Sequence, residues 1–344
     1  PITFAEFMER ALYGPGGFYE RPPVGREGHF VTSPHVHPIF AELLMRAFSE
    51  LWADLGRPDP FPVVEVGAGD GTFALDLVRL AAERDLPLSY TAIERSPGAR
   101  ERLLELGLEV AAALPEKLER TVVFANELLD NLPFRRVRVT GAGLVEVRVG
   151  AEGDAIVEVE TPADEDLAAA APTLDVGQEA TVPVGALKFV DAVAGTLRTG
   201  YVLVIDYGSV EGGSAGEVHG YRRHRVLGDV LTDPGGSDIT AGVDLATISR
   251  RAVGARLQAH SPTRQRDALL ALGFADWNDQ QRERQHSLMG TDEAADAVRI
   301  WEGRSRASLL VDPQGLGRLW WLLMSSAGLP APAWHLRAST RVFD

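Results

Sequence analysis

Cysteine is absent from this sequence, lysine occurs only at Lys117 and Lys188, and no uninterrupted apolar run approaches the length of a membrane span. Without cysteine there is no disulfide, no thiolate metal site and no thiol nucleophile. Crossing a bilayer takes roughly 20 consecutive apolar residues, so no membrane partner is expected. Basic charge is scarce as well: 34 Lys and Arg stand against 49 Asp and Glu, a formal net charge of −15 over 344 residues. Such a surface repels a polyanion, which argues against nucleic acid as the partner. The chain opens on an amphipathic helical pattern, with no basic segment followed by an apolar one. Together these absences predict a soluble, cytoplasmic protein.

What is present is an alternation of apolar runs with helical patterns. Residues 61–66, 88–94, 108–112, 121–125 and 201–206 read as strands. Residues 73–84 and 99–106 read as helices, the first with Leu75, Leu77, Val78 and Leu80 on one face. Strands separated by helices predict an α/β fold with a doubly wound, mostly parallel sheet. Three segments break the rhythm: a helical and loop-rich stretch over 1–56, an alternating antiparallel meander over 134–160, and a Gly- and Asp-rich loop over 208–243.

The run "PVVEVGAGDGTF" ends the first strand in three closely spaced glycines. A dinucleotide site asks for Gly-x-Gly-x-x-Gly with pyrophosphate at the helix N-terminus. Here the spacing is Gly67-x-Gly69-x-Gly71, one residue short, and Glu65 lies inside the strand just before it. That carboxylate repels a pyrophosphate and attracts an ammonium. S-adenosylmethionine offers a sulfonium, an α-ammonium and ribose hydroxyls, with no phosphate, and suits the pattern better than NAD. Glu94, ending the second strand, is placed to accept hydrogen bonds from a ribose; dinucleotide folds use the same device.

Beyond this turn, "ITFAEFMERALYGPGGFYE", "GHFVTSPHVHPIFAELL", "ANELLDNLP", "IDYG", "DPGGSDITAGVDL", "TRQRDALLALGF" and "GLGRLWWLL" resemble the MidA-type methyltransferases. That family includes the mitochondrial complex I assembly factor that methylates an arginine. The resemblance spans nearly the whole chain. It implies a Rossmann-like class I methyltransferase core with an N-terminal helical extension and an antiparallel β insertion, and S-adenosyl-L-methionine as methyl donor. The expected division is an extension over 1–56 covering the cofactor site, a core over 57–133 and 196–344 with a loop insertion at 208–243, and a β-meander and helical insertion over 134–195.

Ligands of doubly wound sheets lie beyond the carboxyl ends of the strands. The expected cofactor-binding residues there are Glu65, Gly67, Ala68, Gly69 and Gly71 from the first strand and its turn. Glu94 and Arg95 follow the second strand, Asn126 ends the fourth, and Thr32 and Pro34 come from a loop that in the family closes over the cofactor. Glu127 and Asp130, three residues apart, are the expected catalytic carboxylates for a guanidinium acceptor. Asp206, Tyr207, Asp238 and Thr240 are expected in the acceptor wall.

The chain departs from the family where the usual Gly-Asp-Phe and Thr-Ser-Pro-Glu-Ile-Ser read Gly28-His29-Phe30 and Thr32-Ser33-Pro34-His35-Val36-His37. His29 and His35 are therefore added as candidate catalytic bases for a hydroxyl, amine or carboxylic acceptor. No metal site is expected, since the histidines lack partner ligands at a matching spacing. The acceptor stays open between a protein arginine and a small molecule or peptide. A non-catalytic assembly factor is the reading of another class, and the meander edge leaves a homodimer open.

Overall fold

The computed structural model describes residues 1–20, 32–211, 217–222, 225–227 and 229–340. Helix α1 (Phe4–Tyr13) opens on a Thr3–Glu6 capping box, in which each side chain satisfies the other's backbone N–H. A short helix α2 (Ser33–Val36) leads to α3 (Ile39–Asp54). Then come β1 (Phe61–Val66), α4 (Thr72–Glu83), β2 (Leu88–Ile93), α5 (Pro97–Glu105), β3 (Glu109–Ala111) and β4 (Leu118–Asn126). An antiparallel excursion follows: β5 (Arg135–Thr140), β6 (Gly143–Glu152), β7 (Ala155–Pro162), α6 (Glu165–Ala170) and β8 (Glu179–Val182). The chain returns through α7 (Val184–Thr196) into β9 (Leu197–Asp206).

Residues 208–243, expected as loop, contain short strands: β10 (Gly208–Ser209), β11 (His219–Arg222), β12 (Arg225–Leu227), β13 (Asp238–Thr240) and β14 (Val243–Asp244). Runs of two to four residues leave no readable period, which is why the pattern missed them. The remainder is α8 (Leu245–Gly254), β15 (Leu257–Ala259), β16 (Thr263–Arg264), α9 (Gln265–Ala271), α10 (Phe274–Leu288), α11 (Ala294–Ala307), β17 (Trp320–Ser326) and α12 (Ala333–Ser339). No helix among the described residues is long and apolar enough to cross a membrane.

The central sheet has eight strands in the order β15-β17-β9-β4-β1-β2-β3, with β16 also on β17. Strands β3, β2, β1, β4 and β9 are mutually parallel, and β17 inserts antiparallel beside β9. Because the strands are covered on both faces, their side chains alternate between two cores. Val63, Phe124 and Leu203 face α3 and α4, while Val64, Val123 and Val202 face α7 and α8. Helix α3, expected in an outer extension, is therefore part of the main core, with Phe48 against Phe124 at 5.7 Å. Helix α7 falls within the stretch assigned to the insertion, yet Phe189, Val190 and Val193 pack on the sheet as a crossover between β4 and β9. Helix α1 instead packs with Phe134, Val149 and Ile239, covering the mouth of the sheet beside the antiparallel strands.

Candidate active site

The chain turns in opposite directions from β1 and β4, so a crevice opens at their carboxyl ends. A cavity of about 1130 Å³ fills it, walled by the turn after β1, the ends of β2, β4 and β9, α1 and the β13 segment. The turn after β1 is a run of left-handed residues, with φ of +79° at Gly67, +59° at Gly69 and +82° at Gly71. Only glycine takes these conformations without strain. Space is short as well: a Cβ on Gly67 would meet Leu128 Cδ1 at 2.8 Å, and one on Gly71 would meet Leu103 Cδ2 at 2.9 Å. The turn thus brings Gly67 and Gly69 to the cavity wall beside Ala68 and Asp70, while Gly71, expected there, is packed against Leu103 and does not line the cavity.

Period-2 alternation puts Glu65 on the same face as Val63, buried, where the Tyr90 hydroxyl donates to it. The sequence reading treats Glu65 as a fixed negative charge. Burial, partly opposed by the Tyr90 hydrogen bond, pushes its pKa up to about 8, so the ligand-free chain holds it protonated at neutral pH. Glu94 directly follows β2 and lines the same cavity, and the Ser96 N–H donates to it at 3.0 Å. Burial raises its pKa as well, against these backbone N–H groups. Arg95 lines the cavity but is clamped outward, its guanidinium 3.8 Å from the Tyr13 ring and paired with Glu9. Thr32, Pro34, Ala68 and Asn126 also line the cavity.

The far half is acidic. Glu127 directly follows β4 with φ +50°, a left-handed conformation that a glutamate adopts only where its surroundings hold it. Its carboxylate accepts from the Ser33 N–H at 3.2 Å and the Asn126 amide at 3.1 Å. Burial pushes its pKa up to about 7 in spite of both. Asp130, in the turn that follows, is raised well above the ordinary range by burial and by the charges of Asp206, Asp238 and Glu127. Its Oδ1 is buried with no hydrogen-bond partner, and so is Oδ1 of Asn126. Asp206 ends β9 and accepts from the Leu128 and Leu129 N–H groups at 3.2 and 2.7 Å, fixing that turn. Asp238 accepts from the Tyr19 hydroxyl at 3.0 Å, and burial lifts its pKa to about 7. The four acids come from three separate segments: the stretch after β4, the end of β9 and the start of β13.

His35 sits at the cavity edge with both ring nitrogens engaged: Nδ1 faces Thr32 Oγ1 at 2.8 Å and Nε2 faces Asp70 Oδ2 at 3.0 Å. Asp70 in turn accepts from the Thr72 N–H at the start of α4. Burial works against the Asp70 carboxylate, but the His35 and Thr72 hydrogen bonds outweigh it and lower its pKa. His35 therefore ties the Thr32 loop to the glycine turn and has no free nitrogen for an acceptor. His37 points elsewhere: its Nδ1 accepts from the Ile39 N–H and its ring meets Trp277. His29 lies outside the described residues. Among the described residues, no group of three or more His, Cys, Asp and Glu could hold a metal ion.

Tyr13, Tyr19, Asp70 and Asn131 also line the cavity, although the sequence pattern does not single them out. Tyr13 and Tyr19 stack at 5.2 Å, and the Asn131 amide donates to the Tyr19 hydroxyl at 2.8 Å. The available signal was "YGPGGFYE", where two tyrosines flank a glycine turn and either could equally have been core.

Comparison with known proteins adds independent findings. A family model described as "Putative S-adenosyl-L-methionine-dependent methyltransferase" matches residues 43–263. The mouse mitochondrial protein arginine methyltransferase NDUFAF7 is 28% identical over 317 residues, covering 80% of this chain and 71% of the relative. Its human counterpart is 28% identical over 342 residues, covering 85% and 76%. A Burkholderia thailandensis superfamily protein, solved with S-adenosyl-homocysteine bound, superposes with a TM-score of 0.85 at 29% identity, over 97% of this chain and 90% of that one. The expectation of a cytoplasmic protein is corrected by these relatives, since the curated ones are named as mitochondrial. A mostly parallel sheet with β17 antiparallel, a glycine-rich turn after β1 and a crevice at the carboxyl ends of the strands agree with the rest. The chain is a class I, S-adenosylmethionine-dependent methyltransferase, and it belongs to the MidA-type family.

Proposed function

We propose that the acceptor is the guanidinium of a protein arginine, received by Glu127 and Asp130 with Asp238 beside them. The observation that carries this reading is the buried, unpartnered Oδ1 of Asp130 in a cluster of raised-pKa acids. Burying several carboxylates together costs free energy unless a cation with several donors joins them. A guanidinium fits, being planar, permanently charged and able to donate bidentately. The relatives named as protein arginine methyltransferases point the same way.

On the donor side, the Gly67–Gly71 turn with Ala68 is the cradle. Glu65 takes the α-ammonium, Glu94 takes the ribose, and Thr32, Pro34 and Asn126 close the walls, with Arg95 bracing Tyr13. The sulfonium, when bound, supplies an already activated methyl group, so the chain's task is placement and charge. Glu127 and Asp130 orient one guanidinium nitrogen toward the donor side and stabilise the charge that grows as the new N–C bond forms. One proton must leave the substituted nitrogen. Glu127, with its pKa near 7, suits that proton. His35 acts as a positioning residue, holding the Thr32 loop to Asp70.

The test is transfer of labelled methyl to protein acceptors, with the modified residue identified by mass spectrometry. Methylarginine is expected, and Glu127→Gln should lower turnover by about 10²–10³-fold while S-adenosylhomocysteine affinity stays within about threefold. Methylation found on a hydroxyl, carboxyl or lysine amine, or full turnover by the variant, ends the assignment.

A further inference from the structure

Two arginines stand at the mouth of the acidic cavity, in the segments "TRQRDALLALGF" and "GLGRLWWLL", and the methyl-transfer chemistry gives them no role. Arg264 ends β16 and Arg318 lies just before β17, and both line the cavity. They are held face-on by aromatic rings. The Arg264 guanidinium lies 3.5 Å from the centroid of Trp320, whose indole N–H donates to the Gly208 carbonyl at 3.0 Å. The Arg318 guanidinium lies 5.5 Å from the centroid of Tyr207. Stacking fixes the plane of a guanidinium and leaves its N–H edge free.

Neither arginine has a carboxylate within ion-pair distance among the described residues, although acids outnumber bases in this chain. Arg264 donates only to the carbonyl of Arg318, at 2.6 Å, and Arg318 donates from its side chain to nothing described. Two neighbouring cations left unpaired repel each other. Burial lowers the pKa of Arg264; the charge of Asp267 works against it, and the charge of Arg318 adds to the lowering. Tyr207 stands between the two charge zones, close enough to feel Glu127 and Asp130 on one side and Arg318 on the other. A ligand reaching from the floor past Tyr207 thus meets acids first and then the guanidinium groups of Arg318 and of Arg264, the latter with one N–H already donated to the Arg318 carbonyl.

We propose that Arg264 and Arg318 form a subsite for a carboxylate carried by the acceptor, an Asp or Glu side chain within a few residues of the methylated arginine. The proposal rests on the arginine reading of the cavity floor and deepens it into a sequence preference. A cation would be selected at the floor and an anion at the rim, so an acceptor segment with both is chosen over one with arginine alone. Two charge-assisted hydrogen bonds at a partly exposed rim correspond to roughly a tenfold preference.

The test uses the full chain and a set of short arginine peptides in which each of three positions on either side carries Glu or, in its pair, Gln. Initial rates give kcat and KM with labelled donor. Fluorescence anisotropy gives binding of the same peptides in the presence of S-adenosylhomocysteine. The wild-type chain should favour Glu over Gln at one or two positions about tenfold in kcat/KM, through KM. Arg318→Gln should reduce that preference to within about twofold and leave kcat on Gln peptides unchanged. Arg318 is the residue of choice because its guanidinium makes no hydrogen bond that the fold needs, and an unchanged melting temperature checks this. Arginine methylation with no Glu preference at any position overturns the subsite and spares the arginine reading. A Glu preference in binding, lost in Arg318→Gln but without arginine methylation, sustains the subsite and removes the arginine. Absence of both preference and methylation removes both.

Discussion

Two clusters of carboxylates in this molecule have opposite electrostatic character. On the antiparallel sheet, Arg136 pairs with Glu158 and Glu179, each at 2.6 Å, and Arg138 pairs with Glu158, Glu160 and Glu179 at 2.7–3.2 Å. Burial works against ionised Glu158, but Arg136 and Arg138 hold its pKa below the ordinary range. At the end of the parallel sheet, Glu127, Asp130, Asp206 and Asp238 share a buried space with no arginine among them. Each has its pKa raised, with burial as the largest cause. Paired carboxylates serve the scaffold, whereas the unpaired acids are the ones proposed to receive a cation. Similar residue types serve both ends, and only their surroundings separate them.

The largest effect that sharpens this contrast is expected at the glycine turn. Gly69→Val places a β-branched side chain at φ +59°, and S-adenosylhomocysteine affinity should fall by more than about 100-fold in calorimetric titration, since the strained turn cannot keep its shape. Wild-type affinity in a folded variant would move the cofactor away from this crevice.

Next comes the acid cluster. Asp130→Asn should slow transfer by about 100-fold yet stabilise the ligand-free chain at alkaline pH. The sign follows from the raised pKa values. The folded chain keeps protons that the unfolded chain releases, so stability is full below the ordinary carboxylate range and is lost as pH rises toward about 7 to 8. The ligand-free melting temperature should therefore fall across that window, and fall less in Asp130→Asn. A rise with pH would show that these acids are paired after all, like those of the antiparallel sheet.

A smaller effect concerns Glu65. If burial holds it protonated, capture of an ammonium must release its proton. Donor binding should then tighten as pH rises through about 8 and should release about one proton, measured as a dependence of binding enthalpy on buffer ionisation. A pH-independent affinity would place the ammonium elsewhere.

The smallest effect should come from the paired cluster. Arg138→Gln on the antiparallel sheet should cost about 1 kcal/mol of stability, as partly exposed ion pairs do, with transfer unchanged in steady-state assays. A large loss of activity there would mean that the sheet contributes to acceptor recognition, and the contrast between the clusters would weaken.

Much of the parallel core was legible because its signals are local. The first strand lies where its apolar run predicts, and the expected glycine turn follows it. Glu94, Glu127, Asp130, Asp206 and Asp238 could each be singled out at a strand end or in a motif. Contacts across the chain were not legible. His35 reads as a free base until Asp70, 35 residues away, is seen to engage it. Helix α7 follows the antiparallel strands in sequence and so reads with them, although its apolar residues pack on the central sheet.

By itself, the order of apolar runs, glycines and acids determined a doubly wound α/β protein with a phosphate-free cofactor turn. Backbone conformation and side-chain alternation are set within a few residues. The charge state of those acids, and which of them meet, was decided only by the tertiary structure. A pKa depends on what lies around a carboxylate in space, and Asp206 and Asp238 come from segments far along the chain from Glu127 and Asp130.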